Sequence, residues 1–135
     1  MKYYIIAGEA SGDLHGSNLI KAICDQDKNA EIRAWGGDEM EKAGANLVKH
    51  YRDLSFMGFY EVLINITSIL KNLSFCKVDI KQFNPDKIIF IDYPGFNMRI
   101  AKWAKRNRFI KYYYIAPQRW AWNENRIKDI KSSVD

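Results

Sequence analysis

The run Ile88-Ile89-Phe90-Ile91 has no polar alternation, so as a strand it offers apolar side chains to both of its faces. Tyr112-Tyr113-Tyr114-Ile115 reads the same way. Strands of this kind belong to a parallel sheet covered by helices above and below, with right-handed crossovers. The rest of the chain keeps to that grammar. Tyr3 to Ala7, Glu31 to Trp35, Lys87 to Ile91 and Lys111 to Ile115 read as strands, with a weaker one near Asn46 to His50, and helical patterns fall between them. The expected fold class is therefore α/β, a Rossmann-like open parallel sheet with helices on both faces. At 135 residues and 47% hydrophobic, the chain can build one core and has no room for a second ordinary domain.

The first helix is expected to start after Asp13, a good N-cap, and to run to about Cys24 with Leu14, Leu19, Ile20 and Ile23 buried. Between Leu54 and Cys76 the only charges are Glu61 and Lys71. Phe59, Val62, Leu63, Ile66, Ile69, Leu70 and Leu73 recur there at helical spacing, which predicts a core stripe. Asn65, Thr67, Ser68 and Asn72 interrupt it, against a membrane span of about 20 apolar residues. Phe56, Met57, Phe59 and Tyr60 suit either inward packing or an exposed patch for acyl chains or a membrane surface.

The net charge of +5 favours anionic partners without choosing among phosphates, nucleic acid and acidic lipid. Arg99, Lys102, Lys105, Arg106, Arg108, Lys111 and Arg119 follow one another with no acid among them, a solvated face or an anion-binding one. Cys24 and Cys76 sit in separate helical patterns without metal-ligand spacing and read as buried thiols of a reducing compartment. Met1 to Gly8 enters a strand directly and lacks the features of a signal peptide, so a cytoplasmic location is expected.

In open α/β sheets ligands gather outside the carboxyl ends of the strands, which should bring the loops at 8–13, 36–38, 92–97 and 116–122 to one edge. In the first, Gly8-Glu9-Ala10-Ser11-Gly12-Asp13-Leu14-His15-Gly16, glycines four apart match neither common nucleotide loop, and Glu9 and Asp13 would repel a phosphate. A neutral, hydroxyl-bearing ligand fits better. Equally, Asp13 caps its own helix while Ser11 and Gly12 form the turn.

Asp92 leaves a buried strand for Tyr93-Pro94-Gly95-Phe96-Asn97, where partial desolvation would improve a carboxylate as a base. The alternative is an Asp that bonds turn amides. A phosphorylated receiver aspartate is disfavoured, because the first strand ends in Gly8-Glu9 and the last in Ala116-Pro117 rather than in an acidic pair and a lysine. His15 has no identifiable partner for base catalysis, His50 has no motif context, and no His, Cys and carboxylate spacing suggests a metal.

Taken together, residues 7–16 (AGEASGDLHG), 36–44 (GGDEMEKAG), 57–63 (MGFYEVL), 91–102 (IDYPGFNMRIAK) and 113–122 (YYIAPQRWAW) resemble the lipid-A-disaccharide synthase family. The resemblance implies the N-terminal, acceptor-side lobe of a two-lobed GT-B glycosyltransferase of family 19, residues 1–135 forming an incomplete lobe without the UDP-sugar-binding one. It implies inverting transfer of 2,3-diacylglucosamine from its UDP derivative to 2,3-diacylglucosamine 1-phosphate in lipid A biosynthesis. No metal or other cofactor is implied, since the UDP-sugar is a substrate. The implied setting is peripheral, on the inner face of the inner membrane, with no nucleic-acid partner and the oligomeric state left open.

Carried over by position, Asp92 becomes the general base on the acceptor's 6-hydroxyl. Glu9, Ser11, Gly12 and Asp13 would line the cleft, and Met57, Gly58, Phe59 and Glu61 would border the acceptor and its acyl chains. Asn97 would support the loop of Asp92, while Gln118, Trp120 and Trp122 would shape the cleft. Ala116 stands where the family often has Ser, and Arg119 where a small apolar residue is commoner. Without the donor lobe, residues 1–135 alone are expected not to transfer sugar. The alternative is a non-catalytic basic α/β module that binds an acidic partner through Arg99 to Lys111.

Overall fold

The structure, a computed structural model, describes residues 1–54 and 66–114. Five strands, β1 (Lys2–Ala7), β2 (Glu31–Gly36), β3 (Asn46–His50), β4 (Lys87–Ile91) and β5 (Lys111–Tyr113), form one sheet in the order β3-β2-β1-β4-β5. Every pairing is parallel. β1 is central, with Ile6 opposite Trp35 on one side and Phe90 on the other. Among the described residues four α-helices accompany the strands: α1 (Ala10–Gln26), α2 (Asp38–Lys42), α3 (Ile66–Phe83) and α4 (Pro94–Arg106).

The strand pleat divides each apolar run between two cores. Tyr3, Ile5, Ala7, Ile32, Ala34, Ile89 and Ile91 face α1 and α2, where Ile20 and Met40 close the layer. Tyr4, Ile6, Trp35, Ile88 and Phe90 face α3 and α4, packing on Leu73, Cys76, Ile80, Phe96, Ile100 and Trp103. The expected Rossmann-like sheet with helices on both faces is what forms.

Several local expectations are corrected. α1 begins at Ala10 with Glu9 as its N-cap, so Asp13 lies inside the helix. Its buried stripe is Gly12, Asp13, Gly16, Ser17 and Ile20. These small residues bring the helix backbone close to the sheet, since a Cβ on Gly12 would stand 3.0 Å from Ala7 Cβ. Leu14 is turned outward by that contact and is 54% exposed, while Leu19 and Ile23 are half-buried. On α3 the core takes Leu73, Cys76 and Ile80, with Ile69 at its margin. Ile66 and Leu70, expected in the core stripe, are 52% and 54% exposed.

Cys24 is half-buried rather than buried, and Cys76 is buried as expected. Lys111 opens β5 with its side chain buried, and so leaves the exposed cationic run. β5 ends at Tyr113, although the Tyr114 amide still donates to Phe90 O (2.9 Å). Ile115 lies outside the described residues, as do Phe56 to Tyr60, Val62 and Leu63.

α3 is tied to the sheet by a polar chain as well as by its apolar face. Trp35 Nε1 donates to Tyr4 Oη (2.7 Å), and Tyr4 Oη donates to Asp79 Oδ2 (2.8 Å). Arg33 grips the same carboxylate through Nε and Nη2, at 3.1 and 2.7 Å. The chain satisfies the polar groups that β1 and β2 carry into this layer. Burial first, and the nearby Cys76 and Asp79 next, push the Tyr4 phenol far above its ordinary value. Burial raises the Cys76 thiol likewise.

Candidate functional site at the switch point

Crossovers leave β1 and β4 on opposite faces, because α1 lies on one side of the sheet and α4 on the other. Neighbouring strands whose connections diverge open a crevice at their carboxyl ends, the usual ligand site of such sheets. Here Gly8-Glu9 leaves β1 and Asp92-Tyr93 leaves β4. Ala7 and Ile91 pair directly, so the two turns are neighbours. The first turns of α1 and α4 start at this edge without side-chain caps, leaving the positive ends of both helices toward it.

Asp92 is half-buried, and its Oδ1 is enclosed without a hydrogen-bond partner. An enclosed carboxylate oxygen with no partner among the described residues is an exception among buried polar groups. Asp92 and Tyr93 both occupy the left-handed region, at φ 48° and 52°. Each such residue without glycine's freedom costs about 1–2 kcal/mol, so the surroundings must hold the turn. Asn97 is one restraint. It is fully buried, and its Nδ2 donates to Asp92 O (2.7 Å) and to Ile6 O (3.2 Å), joining the two strands behind the crevice. Its Oδ1 is a second enclosed acceptor without a partner.

Tyr93 supplies another restraint that sequence reasoning missed. Its ring stacks on Phe96, with centroids 5.1 Å apart and planes 12° apart, and rests against Gly8, where an added Cβ would overlap the ring carbons. Burial raises the phenol's pKa. The only hint in the sequence was an aromatic residue before Pro94-Gly95 and a glycine after β1, and nothing there says that the two meet.

Asp13 is 4% exposed, and its carboxylate is fully engaged within the protein. Oδ1 accepts from the amides of Gly37 (2.8 Å) and Met40 (3.0 Å), and Oδ2 from that of Glu39 (3.1 Å). It thus supplies the N-terminal capping of α2 from α1, rather than capping its own helix or lining the cleft. Gly37 allows the approach, since a Cβ there would stand 2.7 Å from Asp13 Oδ2. Gly12 is buried, its Cα facing Ala7 and Ile91 in the first turn of α1. Glu9 and Ser11 are exposed at the start of α1.

Met57, Gly58, Phe59, Glu61, Gln118, Trp120 and Trp122 lie outside the described residues, as does the loop at 116–122. His15 is exposed on α1. His50, at the end of β3, accepts from the Arg52 amide at Nδ1 (3.1 Å), so Nε2 carries the proton toward Asp38 Oδ1 (3.1 Å). Both its nitrogens are engaged, Nδ1 with the turn that follows β3 and Nε2 with the start of α2. Among the described residues no group of three or more His, Cys, Asp or Glu could hold a metal ion.

The profile of the family described as "Lipid-A-disaccharide synthetase" matches residues 3–135. Curated relatives named lipid-A-disaccharide synthase include those of Geobacter metallireducens, 44% identical, and Syntrophus aciditrophicus, 38% identical, each over 131 residues. Both alignments cover 97% of this chain and 34% of the relative, so the chain spans about a third of their length. The relative from Coxiella burnetii is 39% identical over 97% of this chain and 35% of its own. Among solved structures, UDP-GlcNAc 2-epimerase from Neisseria meningitidis bound to UDP-GlcNAc superposes with a TM-score of 0.60 at 12% identity, over 99% of this chain and 39% of that one. That likeness concerns the fold alone. With the family profile matched along nearly its whole length, this chain belongs to the lipid-A-disaccharide synthetase family.

Proposed function

We propose that residues 1–135 form the acceptor-side lobe of an inverting GT-B glycosyltransferase that joins two acylated glucosamine units, with Asp92 as the general base. The reading rests on one observation above the rest. Asp92 stands at the switch point with a buried oxygen that no group among the described residues satisfies. A hydroxyl of the acceptor sugar is a donor of the right kind. As the acceptor oxygen attacks the anomeric carbon, its proton passes to Asp92, the bond from that carbon to UDP breaks, and the centre inverts. No metal is required of this lobe. The UDP-sugar is assigned to the remaining two thirds of the relatives' length, so the 135 residues alone should show no turnover.

A chimera tests this directly. Residues 1–135 replace their counterpart in the Geobacter metallireducens relative, and transfer is followed from UDP-diacylglucosamine to diacylglucosamine 1-phosphate. The exchange should leave an active enzyme, and Asp92→Asn should lower kcat by about 10²- to 10⁴-fold. An inactive chimera, or full activity without the Asp92 carboxylate, would count against the reading.

Peripheral attachment to the inner membrane's cytoplasmic face is part of the same proposal. Ile66 and Leu70 lie exposed on the first turns of α3, and Arg99, Lys102, Lys105, Arg106 and Arg108 are exposed on α4 and just after it. Apolar side chains with cations suit an anionic lipid surface. No helix among the described residues is long and apolar enough to cross a membrane. Co-sedimentation with phosphatidylglycerol vesicles at low salt, weakened by added salt, is expected. Equal recovery with neutral vesicles would contradict the electrostatic part.

A further inference from the structure

We propose that Tyr93 is a positioning residue, whose ring, seated on Gly8 across the switch-point crevice, holds the turn that aims the Asp92 carboxylate. The inference rests on the proposed role of Asp92. Two consecutive non-glycine residues, Asp92 and Tyr93, lie in the left-handed region. Such a conformation persists only where its surroundings over-determine it. From behind, Asn97 fixes the Asp92 carbonyl and the end of β1. From the front, the Tyr93 ring is caught between Phe96 of α4 and the bare backbone of Gly8. Asp92 is thus held through its own carbonyl and through the residue that follows it.

The same contact explains Gly8 without a phosphate. In nucleotide-binding sheets a glycine after the first strand admits a ligand phosphate close to the backbone. Here the protein's own aromatic ring fills that space, since any Cβ on Gly8 would overlap it. The glycine turn is the seat of the Tyr93 ring, so Gly8 does not need a ligand phosphate to account for it. The ring acts through the backbone of Asp92, so the phenolic hydroxyl is dispensable.

Two measurements test the assignment. In NMR spectra of the 135-residue chain, the Gly8 α-protons should be shifted upfield by the ring, and Asp92 should show left-handed backbone shifts. Tyr93→Phe should preserve both. Tyr93→Gly, whose backbone enters the left-handed region freely, should keep the fold but lose the ring-current shift and the fixed signature of Asp92. In the active chimera, Tyr93→Phe should stay within about twofold of the parent in kcat. Tyr93→Gly should lose about ten- to a hundredfold in kcat with the acceptor KM little changed.

Full kcat in Tyr93→Gly overturns the proposal. A loss carried by KM does so as well, as does a loss of kcat while Asp92 keeps its left-handed shifts. Should Tyr93→Gly fail to fold, Gly8→Ala, which displaces the ring and leaves residues 92 and 93 in place, is held to the same outcomes. An active Asp92→Asn chimera would sink the base assignment itself. An inactive one beside a fully active Tyr93→Gly would sink only the positioning role.

Discussion

Both oxygens of Asp13 are occupied by backbone amides of Gly37, Glu39 and Met40, while Asp92 Oδ1 is enclosed and has no partner. These two carboxylates stand at the same edge of the sheet and have opposite tasks. Asp13 joins α1 to α2, and removing it would leave three amides at the start of α2 without an acceptor. Hydrogen bonds to a charged group contribute about 1.5–3 kcal/mol each and share their cost when lost together. Asp13→Ala should therefore destabilise the chain by about 3 kcal/mol in urea unfolding. Asp13→Asn, which keeps one acceptor oxygen, should cost roughly half that. Equal stability of Asp13→Ala and the parent would contradict the capping role. Sequence pattern could mark Asp13 as a capping residue but not say which helix it caps, because Gly37 is distant in sequence and only the β1-α1-β2 crossover brings it near. Asp92 was legible, because the four apolar residues before it fix its place at the end of a strand.

The strands were legible for a related reason. A run that is apolar on both faces has few ways to be buried, and Lys87–Ile91 forms as the pattern says. Helix faces were less so. α1 packs through Gly12, Gly16 and Ser17, which carry no hydrophobic signal, while its conspicuous Leu14 faces solvent. Periodicity finds large apolar side chains, but close packing also needs small ones, and their count says nothing about which side approaches the sheet. α3 shows the complementary case, in which polar residues do the anchoring. Asp79 receives Tyr4 and Arg33 together, and the Arg33 pair is only partly exposed. Asp79→Ala strips the acceptor from a phenol and a guanidinium at once, and should lower stability by about 2–3 kcal/mol. Faster amide hydrogen exchange is expected along α3 and β2, with α1 little changed. Uniform acceleration across α1, α2, α3 and α4 would mean that Asp79 holds no particular element.

On the scale of the whole molecule, the order β3-β2-β1-β4-β5 places both polar turns of the site beside the central strand, each backed by a separate core. The core under α3 and α4 also encloses ionisable groups, and that gives the fold a pH dependence with a definite sign. Cys76 and Tyr4 have pKa values raised by burial above the ordinary 9.0 and 10.0, and burial raises Tyr93 as well. Below pH 9.0 both states hold all these protons, so the stabilisation is fully present. Above it the unfolded chain releases the Cys76 proton while the folded one keeps it, and stability falls. Above 10.0 the tyrosines add to the slope, and the loss continues toward the raised folded values. Urea midpoints measured upward from pH 8 should therefore decline in two stages. Cys76→Ala should remove the earlier stage. Tyr4→Phe should make the later one shallower, while lowering stability at neutral pH because Trp35 and Asp79 lose a partner. A midpoint that stays flat to pH 11 would mean that these groups titrate alike in both states. Burial in the α3 and α4 core would then not be what holds their protons.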